Sequence, residues 1–474
     1  MYLTNGASLS GLTLTWGTAP TGGGGAVGGT LNNCTLTGNS VIASRSDGGG
    51  AGVSGGGAAC CTLNNCMLSV NSASSILTLA LFNSFGGPLA QGGGAYSCRL
   101  NNCTLTGNTA SATSMFPRSV SSLEANAQGG GAARCTLNNC TLSGNSAGAT
   151  LAYPPGDSPL GANAQGGGAD HSTLNNCTLS GNSTSATTFG NSYRVGAYAK
   201  GGGAYNCMLN NSTLSGNSAS SSNSYSYYSK VALGGGAYNC TLNNCTLVCN
   251  WANAAADFPG SLASGGGAYD CGLNNCISFG NYVYGFGCED CYSPGLLFGN
   301  NWFGDPLFVG GSLRLQSNSP CINAGDNSYV TNATDLDGNP RIVGGTVDIG
   351  AYEFQSPASM ISYAWLQKYV LPINTSTDTA DPDGDGVNNY REWLAHSDPT
   401  NPFSFPPLLT LIPYGANVVL TWPTNALGFT LQSTTNLVSP AGWSTNSPAP
   451  VVIGGQNVII NPISDPQQFY RLSQ

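Results

Sequence analysis

Charge is what this chain has least of. Asp, Glu, Lys and Arg make up 7 % of its 474 residues, and there are two histidines, His171 and His396. Twelve scattered Lys and Arg against 21 Asp and Glu cannot build a phosphate-tracking stripe, so nucleic acid is not an expected partner. No apolar run approaches the ~18 residues that crossing a bilayer takes, so no transmembrane segment is expected. The opening MYLTNGASLSGLTLTWG lacks the basic start and unbroken apolar stretch of an export signal. Disordered chains combine low hydrophobicity with high charge, whereas this one is 41 % hydrophobic. Its 68 glycines follow no G-X-Y period, which excludes collagen. What remains is a β-rich chain solvated by neutral Asn, Ser and Thr, and its length calls for more than one folded unit.

The string GGGAYNCTLNNCTLSGN recurs eight times, its first Gly at positions 23, 55, 92, 129, 166, 201, 234 and 265. Each copy closes on an Asn 16 positions later, from Asn39 to Asn281, while the segments between copies vary from 14 to 20 residues. A fixed core beside a variable insert is the signature of a solenoid, here of about eight coils. Cys-x-Leu occurs on both sides of the Asn-Asn pair, as in Cys135-Thr136-Leu137 and Cys140-Thr141-Leu142. That period of two puts Cys and Leu on one face of two short strands. Asn tolerates left-handed backbone angles, which suits the corner, and like amides of stacked coils should bond in ladders. The glycine run permits a sharp corner or bulge. A third strand is expected just before it, in Glu124 to Gln128 or Gly196 to Lys200. In the last copy Ser278 takes an inward Leu place. The opening residues, with Leu3, Leu9, Leu12 and Leu14, read as part of a coil, and an uncovered first coil implies either that earlier coils and an export signal precede Met1, the favoured reading, or that the chain begins uncapped.

Eighteen cysteines invite a disulfide reading, but Cys34, Cys66, Cys103, Cys140 and Cys177 recur at one place and should stack side by side, a poor geometry for bridging. They fit small apolar core residues. Bridges within a coil, such as Cys61 with Cys66, and metal binding are the alternatives. Cys288 and Cys291, outside the repeat, form the best candidate bridge, with Cys321 as another partner. Ser172 and Ser212 replace Cys in two copies, so pairing is not needed at every level.

The repeat, with its GGA(I/Y) and S-G-N motifs, resembles right-handed β-helix repeats of bacterial surface proteins of the polymorphic outer-membrane and pectate-lyase-like kinds. Beyond it, DLDGNPRI and VDIGAYEF supply Asp335, Asp337, Gly338, Arg341, Asp348, Gly350, Ala351 and Glu353. These resemble the terminal region of β-helix proteins of the choice-of-anchor type. Ile342, Val343, Val347, Ile349, Tyr352 and Phe354 are expected to lie over the last coil and close the core. The acids with Arg341 would form salt bridges under this cap or hold a cation.

Residues 381 to 392, DPDGDGVNNYRE, match D-x-[DN]-x-[DN]-G-x5-E position by position. Calcium takes six to eight oxygens. Asp381, Asp383 and Asp385 would offer carboxylates, Val387 a carbonyl, Asn389 a side chain or a water, and Glu392 two oxygens. Gly386 sits where the loop must turn, and NNYREWLA can start the helix carrying Glu392. The segment resembles the calcium loops of EF-hand, dockerin and thrombospondin type 3 modules. Upstream, ISYAWLQKYVL is expected to be a short helix with Trp365, Tyr369 and Val370 on one side. Residues 407 to 474 alternate as about six strands of a small sandwich, with Trp422 and Trp443 as packing residues rather than a carbohydrate platform.

The reading is therefore all-β: a right-handed parallel β-helix over 1–300, its cap over 301–357, a helix and calcium-loop linker over 358–404, and a β-sandwich over 405–474. The expected role is that of a non-catalytic, monomeric, secreted or cell-surface adhesin or scaffold, with a polysaccharide or cell-surface ligand met by a row of Ser-, Ala- and Tyr-rich inserts. The alternative is a polysaccharide lyase or glycoside hydrolase working on a β-helix face. The rod's acids argue against that alternative. Asp170 and Asp270 lie three coils apart and one position out of line, and Asp170-His171, the sole acid–His neighbours, are expected on a solvent face.

Overall fold

The computed structural model describes all residues except 5, 47–51, 79–86, 116–123, 153–159, 190–194, 224–229, 255–260, 285–291, 294–299, 405–408, 425–428, 438–441, 446–448, 464–466 and 474. The tips of the inserts, Cys288 and Cys291 lie outside the described residues. The chain divides into two compact units, Met1–Pro357 and Ala358–Gln474.

The first unit is a parallel β-helix. One rung, starting at Gly129, shows the plan: strands Ala132–Ala133, Thr136–Asn138, Thr141–Ser143 and Ser146–Ala152, then Leu160–Gln165 leading into the next rung. Each strand pairs in parallel with its equivalents above and below, giving four nine-stranded sheets and one of seven strands. The repeat predicts eight coils. The structure has nine rungs, because Ser8–Ser10, Thr13–Thr15 and Thr18–Ala19 form one more at the start, with Leu9 beside Leu31 and Leu14 beside Leu36. At ~4.8 Å per rung the stack is roughly 40 Å long. The strand expected before each glycine run is present, as Ala125–Gln128 and Val195–Lys200. The inserts, expected as loops, also begin with a strand of up to seven residues, as in Thr109–Met115. Alternating Ala, Ser and Thr side chains bury one face of that strand, so it behaves as core rather than as loop.

The glycine run divides the coil in two. A Cβ on Gly130 would collide with the Ser146 carbonyl of its own rung, and one on Gly131 would lie 3.1 Å from the Asn145 amide carbon. Only glycine lets the two backbones approach this closely. Leu, Cys and Ala columns such as Leu137, Cys140 and Leu142 fill the lobe on one side of this partition. A thin lobe, packed mostly by alanines such as Ala110, Ala112, Ala125 and Ala127, fills the other.

A buried ladder of asparagines forms the partition's other half. The Asn145 Oδ1 accepts from the Asn108 backbone N–H at 3.0 Å and from the Asn108 Nδ2 at 2.9 Å. Its own Nδ2 donates to the Leu105 carbonyl and to the Asn182 Oδ1, both at 2.9 Å. The pattern runs from Asn39 to Asn281 and then stops. Ser278, in the inward Leu place, accepts the last amide at 3.0 Å. The corner Asn pairs form the expected second ladder, with Asn101 Nδ2 donating to Asn64 Oδ1 at 2.7 Å. The second Asn of each pair is left-handed, Asn102 having φ 52°.

The cysteines are more than apolar filling. Cys61 and Cys66 are free, as are all the other described cysteines. The Cys66 N–H points at the Cys103 sulfur (3.4 Å), and that thiol donates to the Asn101 carbonyl at 3.3 Å. Ser212 makes the same contacts with oxygen, accepting from the Cys177 N–H at 3.1 Å and donating to the Asn210 carbonyl at 2.9 Å. Burial pushes the Cys98 and Cys245 thiols well above the ordinary range, which keeps them protonated and unreactive.

The segment after the rod departs from expectation. Asn301 and Trp302 close the last rung: Asn301 Oδ1 accepts the Cys276 N–H at 2.8 Å, and Trp302 bridges Ile277. Residues 326–353 instead run back along the rod's side. Asn275, Asn244 and Asn211 donate to the carbonyls of Asp326, Tyr329 and Thr334, and Asn332 donates to Asn176, so the arm reaches down four rungs. Val347 and Ile349 are buried as expected, but Ile342 is exposed, because the arm covers a flank and not an end. Arg341 pins it, buried against Glu353 at 3.1 Å and bonded to the carbonyls of Asp348 and Gly350. Backbone N–H groups meet both oxygens of Asp335, Asp348 and Glu353, so these acids act as structural acceptors.

In the second unit, two antiparallel sheets of four and three strands share a core of Val418, Leu420, Trp422, Leu431 and Ile459. Trp443 stacks against Arg471, whose guanidinium carbon lies 4.3 Å from the ring centre.

Two outcomes follow for the rod. Asn145→Ala removes four buried hydrogen bonds and leaves the Asn108 N–H without an acceptor, and should cost ~2–3 kcal/mol or more in a denaturant melt. Cys103→Ser should melt like the parent, whereas Cys103→Val, which orphans the Cys66 N–H, should lose ~1–3 kcal/mol. Equal melting of the two Cys103 variants would reduce the thiols to packing.

Candidate metal site

The acidic loop lies in the second unit between two short helices, α2 (Thr375–Asp378) and α3 (Asn389–Ala395); the earlier α1 (Tyr363–Lys368) stands apart. α1 buries Tyr363 and Leu366, not the expected Trp365, Tyr369 and Val370 face. Val370 is 89 % exposed in a left-handed conformation just past the helix end. Asn388 caps α3 by accepting from the Arg391 N–H at 3.1 Å.

Asp381 folds the loop around itself. Its two oxygens accept from the Gly384 and Gly386 N–H groups, each at 2.9 Å. Gly386 has φ +92°, a conformation other residues rarely adopt, which is why glycine stands at this turn. Asp383 and Asp385 each spend one oxygen on a backbone N–H two residues on, those of Asp385 and Val387. The loop thereby brings one oxygen from each of Asp381, Asp383 and Asp385 within 4.8 Å of the others.

The helix places Glu392 with its side chain buried. Its Oε1 accepts from the Ser397 hydroxyl at 3.1 Å, and its Oε2 has no hydrogen-bond partner. Nor do the second oxygens of Asp383 and Asp385, or the Oδ1 of Asn389, whose Nδ2 is held by the Thr377 carbonyl at 2.8 Å. Four buried oxygens left without donors are costly in isolation. Burial first, and then repulsion from Asp383, Asp385 and Asp381, pushes the Glu392 carboxyl up to about 7. Burial also raises Asp383. An all-oxygen set of this kind fits a hard divalent cation. Of the sequence-derived residues, the three Asp converge, and Glu392 and Asn389 hold unpaired oxygens. For Val387 the structure shows its N–H bonded to Asp385 and no role for its carbonyl.

A second cluster lies on the rod. Asp170 is fully buried, against the expectation of a solvent face, because it packs over the glycine run where other rungs carry Tyr. Its Oδ2 meets the exposed His171 at 2.9 Å, and its Oδ1 has no partner. Tyr205, Tyr238 and Tyr269 continue that column as a stack, with ring centres 5.3 and 5.6 Å apart. The column was not legible before the register was known. A third feature is a cleft of about 610 Å³ between the arm and the rod, lined by corner residues such as Asn139 and Asn176 and by Asp337 and Tyr352 of the arm.

Comparison with family models, with curated proteins and with solved structures finds no match. The class that the structure itself defines is a parallel β-solenoid repeat protein with a small antiparallel β unit after it.

The raised Glu392 carries a sign. A folded pKa above the ordinary glutamate value stabilises the metal-free protein below pH ~4.3, and that contribution is lost as pH rises through about 7. In chelator, the melting temperature of the second unit should therefore fall as pH rises from about 5 to about 7 and level off above that. Glu392→Gln should flatten the change; an identical fall in the variant would place its cause elsewhere.

Proposed function

We propose that this chain is a non-catalytic secreted or cell-surface scaffold or adhesin, with a calcium ion tightening its second unit. The carrying observation is the loop's set of buried, donor-free oxygens on Asp383, Asp385, Asn389 and Glu392 around three converging carboxylates. Asp381, Asp383, Asp385, Glu392 and Asn389 would hold the ion, with Val387 offering its carbonyl. Calcium cancels the repulsion among the acids and so stiffens the turn between α2 and α3. A loop of this kind on an exported protein would be filled by the calcium found outside cells, where such modules bind with Kd near 10⁻⁴ to 10⁻³ M. The likeness to bacterial surface β-helices and thrombospondin type 3 loops points the same way.

The position of the rod's described acids favours binding over hydrolysis. Asp170 is sealed and bonded to His171, while Asp270 is exposed three rungs on, ~14 Å away at the usual strand spacing. Paired glycosidase carboxyls stand ~5–9.5 Å apart.

Calorimetric titration should show one calcium bound per chain and a higher melting temperature, both lost in Asp383→Ala. Unchanged affinity in that variant would refute the site. Incubation with polysaccharides should release no unsaturated or reducing ends; steady release would hand the rod to the lyase or glycosidase reading.

A further inference from the structure

The four-stranded sheet of the second unit leaves one face to solvent. Its strands run in the order Thr410–Tyr414, Asn417–Pro423, Gln456–Pro462 and Val451–Ile453. Val418, Leu420, Trp422 and Ile459 point into the core shared with the three-stranded sheet. Side chains alternate along a strand, so the residues between these point the opposite way. On that outer face the register sets Ile412 beside Val419 and Val419 beside Ile460. The next row sets Thr421 beside Val458 and Val458 beside Val451. Tyr414 and Ile453 extend the patch at opposite corners. Ile412, Tyr414, Val451, Ile453 and Ile460 are each more than half exposed, and no outward position of the four strands carries a charge. A chain that elsewhere meets solvent with Asn, Ser and Thr thus meets it here with Ile, Val and Tyr.

We propose that this face joins two copies of the chain, sheet against sheet, about a two-fold axis. The dimer replaces the expected monomer, goes beyond the scaffold reading and does not depend on the calcium loop. The outward side chains expose roughly 600–700 Å² a copy, near the ~800 Å² that each partner gives to a standard stable interface. Apolar patches of that size are uncommon on proteins that stay single. Pairing through the sheet's edges is the other way for such a unit to associate, and both edges are blunted. Pro413 lies within the outermost strand on one side, and Pro450 stands immediately before the outermost strand on the other. Proline has no N–H to give to an added strand, so the edges are closed while the face stays open. A partner of different sequence would bury its own charges opposite a surface that offers no counter-charge. A second copy brings the same neutral apolar surface, and a two-fold contact uses one patch twice. Sheets packed in this way lie ~10 Å apart with their strands about 30° from aligned. Ile460, on a central strand, then lies close to the axis and is buried by the partner sheet.

Sedimentation velocity of the full chain, in calcium and again in chelator, should show monomer passing to dimer as concentration rises. Salt should not weaken the association, because no charges meet across the contact. Ile460→Lys places a lysine from each copy near the axis, and should raise the dissociation constant about tenfold or more. Tyr414→Lys, on the outermost strand where the side chain is already exposed, should weaken the dimer in the same direction. Both variants should keep the parent's circular dichroism spectrum, and the second covers the case in which the first fails to fold. Dimerisation equal to wild type in the folded variants would overturn the face. A wild-type chain that stays monomeric at every concentration would overturn the second copy as its occupant. Binding of that monomer to phosphatidylcholine vesicles would assign the face to a lipid surface instead. A dimer seen only in calcium would move the contact to the acidic loop. None of these results alters the calcium titration, so the scaffold reading stands or falls separately.

Discussion

The rod depends on one repeated arrangement, an asparagine side chain that meets the glycine run inside every coil. Each amide spends both donor hydrogens and both acceptor positions on neighbouring rungs. A fully satisfied buried network rigidifies, whereas a partly satisfied one is expensive. The glycines are needed because any side chain there would push the two backbones apart and strand the amides. Asn and Gly-Gly-Gly are thus one device seen at two places in the sequence. The cysteines apply the same logic at the corners, a sulfur standing where serine oxygen serves equally well.

The ladder also defines how the rod ends. At the first rung a glycine, Gly17, offers only its backbone N–H to Asn39. At the last, Ser278 and Asn301 take over as acceptors for the final Asn and Cys positions. Departures from the repeat that look like drift in the sequence are therefore end pieces with defined hydrogen-bonding tasks. The corner asparagines show a comparable economy. Those of the later rungs bond the returning arm, and earlier ones such as Asn65 and Asn102 bond one another.

Much of this was legible in the residues, for physical reasons. A period of two beside a fixed 17-residue spacing admits few structures other than a stacked coil, and the inward Leu and Cys columns lie where that period puts them. The partition was not legible, because a glycine run reads equally as a turn or as a close approach until the residue opposite is known. Hydrophobicity located the apolar residues of the arm but not its direction, since Val347 and Ile349 would be buried on an end or on a flank. Helical periodicity gives no sign of the left-handed stop at Val370, which ends the turn after α1 and leaves that side chain exposed. In the acidic loop, spacing suffices to nominate the oxygens, since the turn at Gly386 and the start of α3 are both local. The buried partner of His171 needed the register, because only the stacked rungs show that Asp170 lies over the glycines.

The partition has a consequence for how such a chain can change. Because the wall of glycine and asparagine closes its own hydrogen bonds, the Leu–Cys lobe does not need the alanine lobe for its register. The alanine lobe acts as a fin whose strands also pair rung to rung, and the intervals of 14 to 20 residues beside a core of invariant length differ mainly in the segments joining those strands. A rung can be duplicated, or its fin extended or trimmed, without moving the corner columns. The outer edge of the rod is thus free to diversify while the faces stay in alignment.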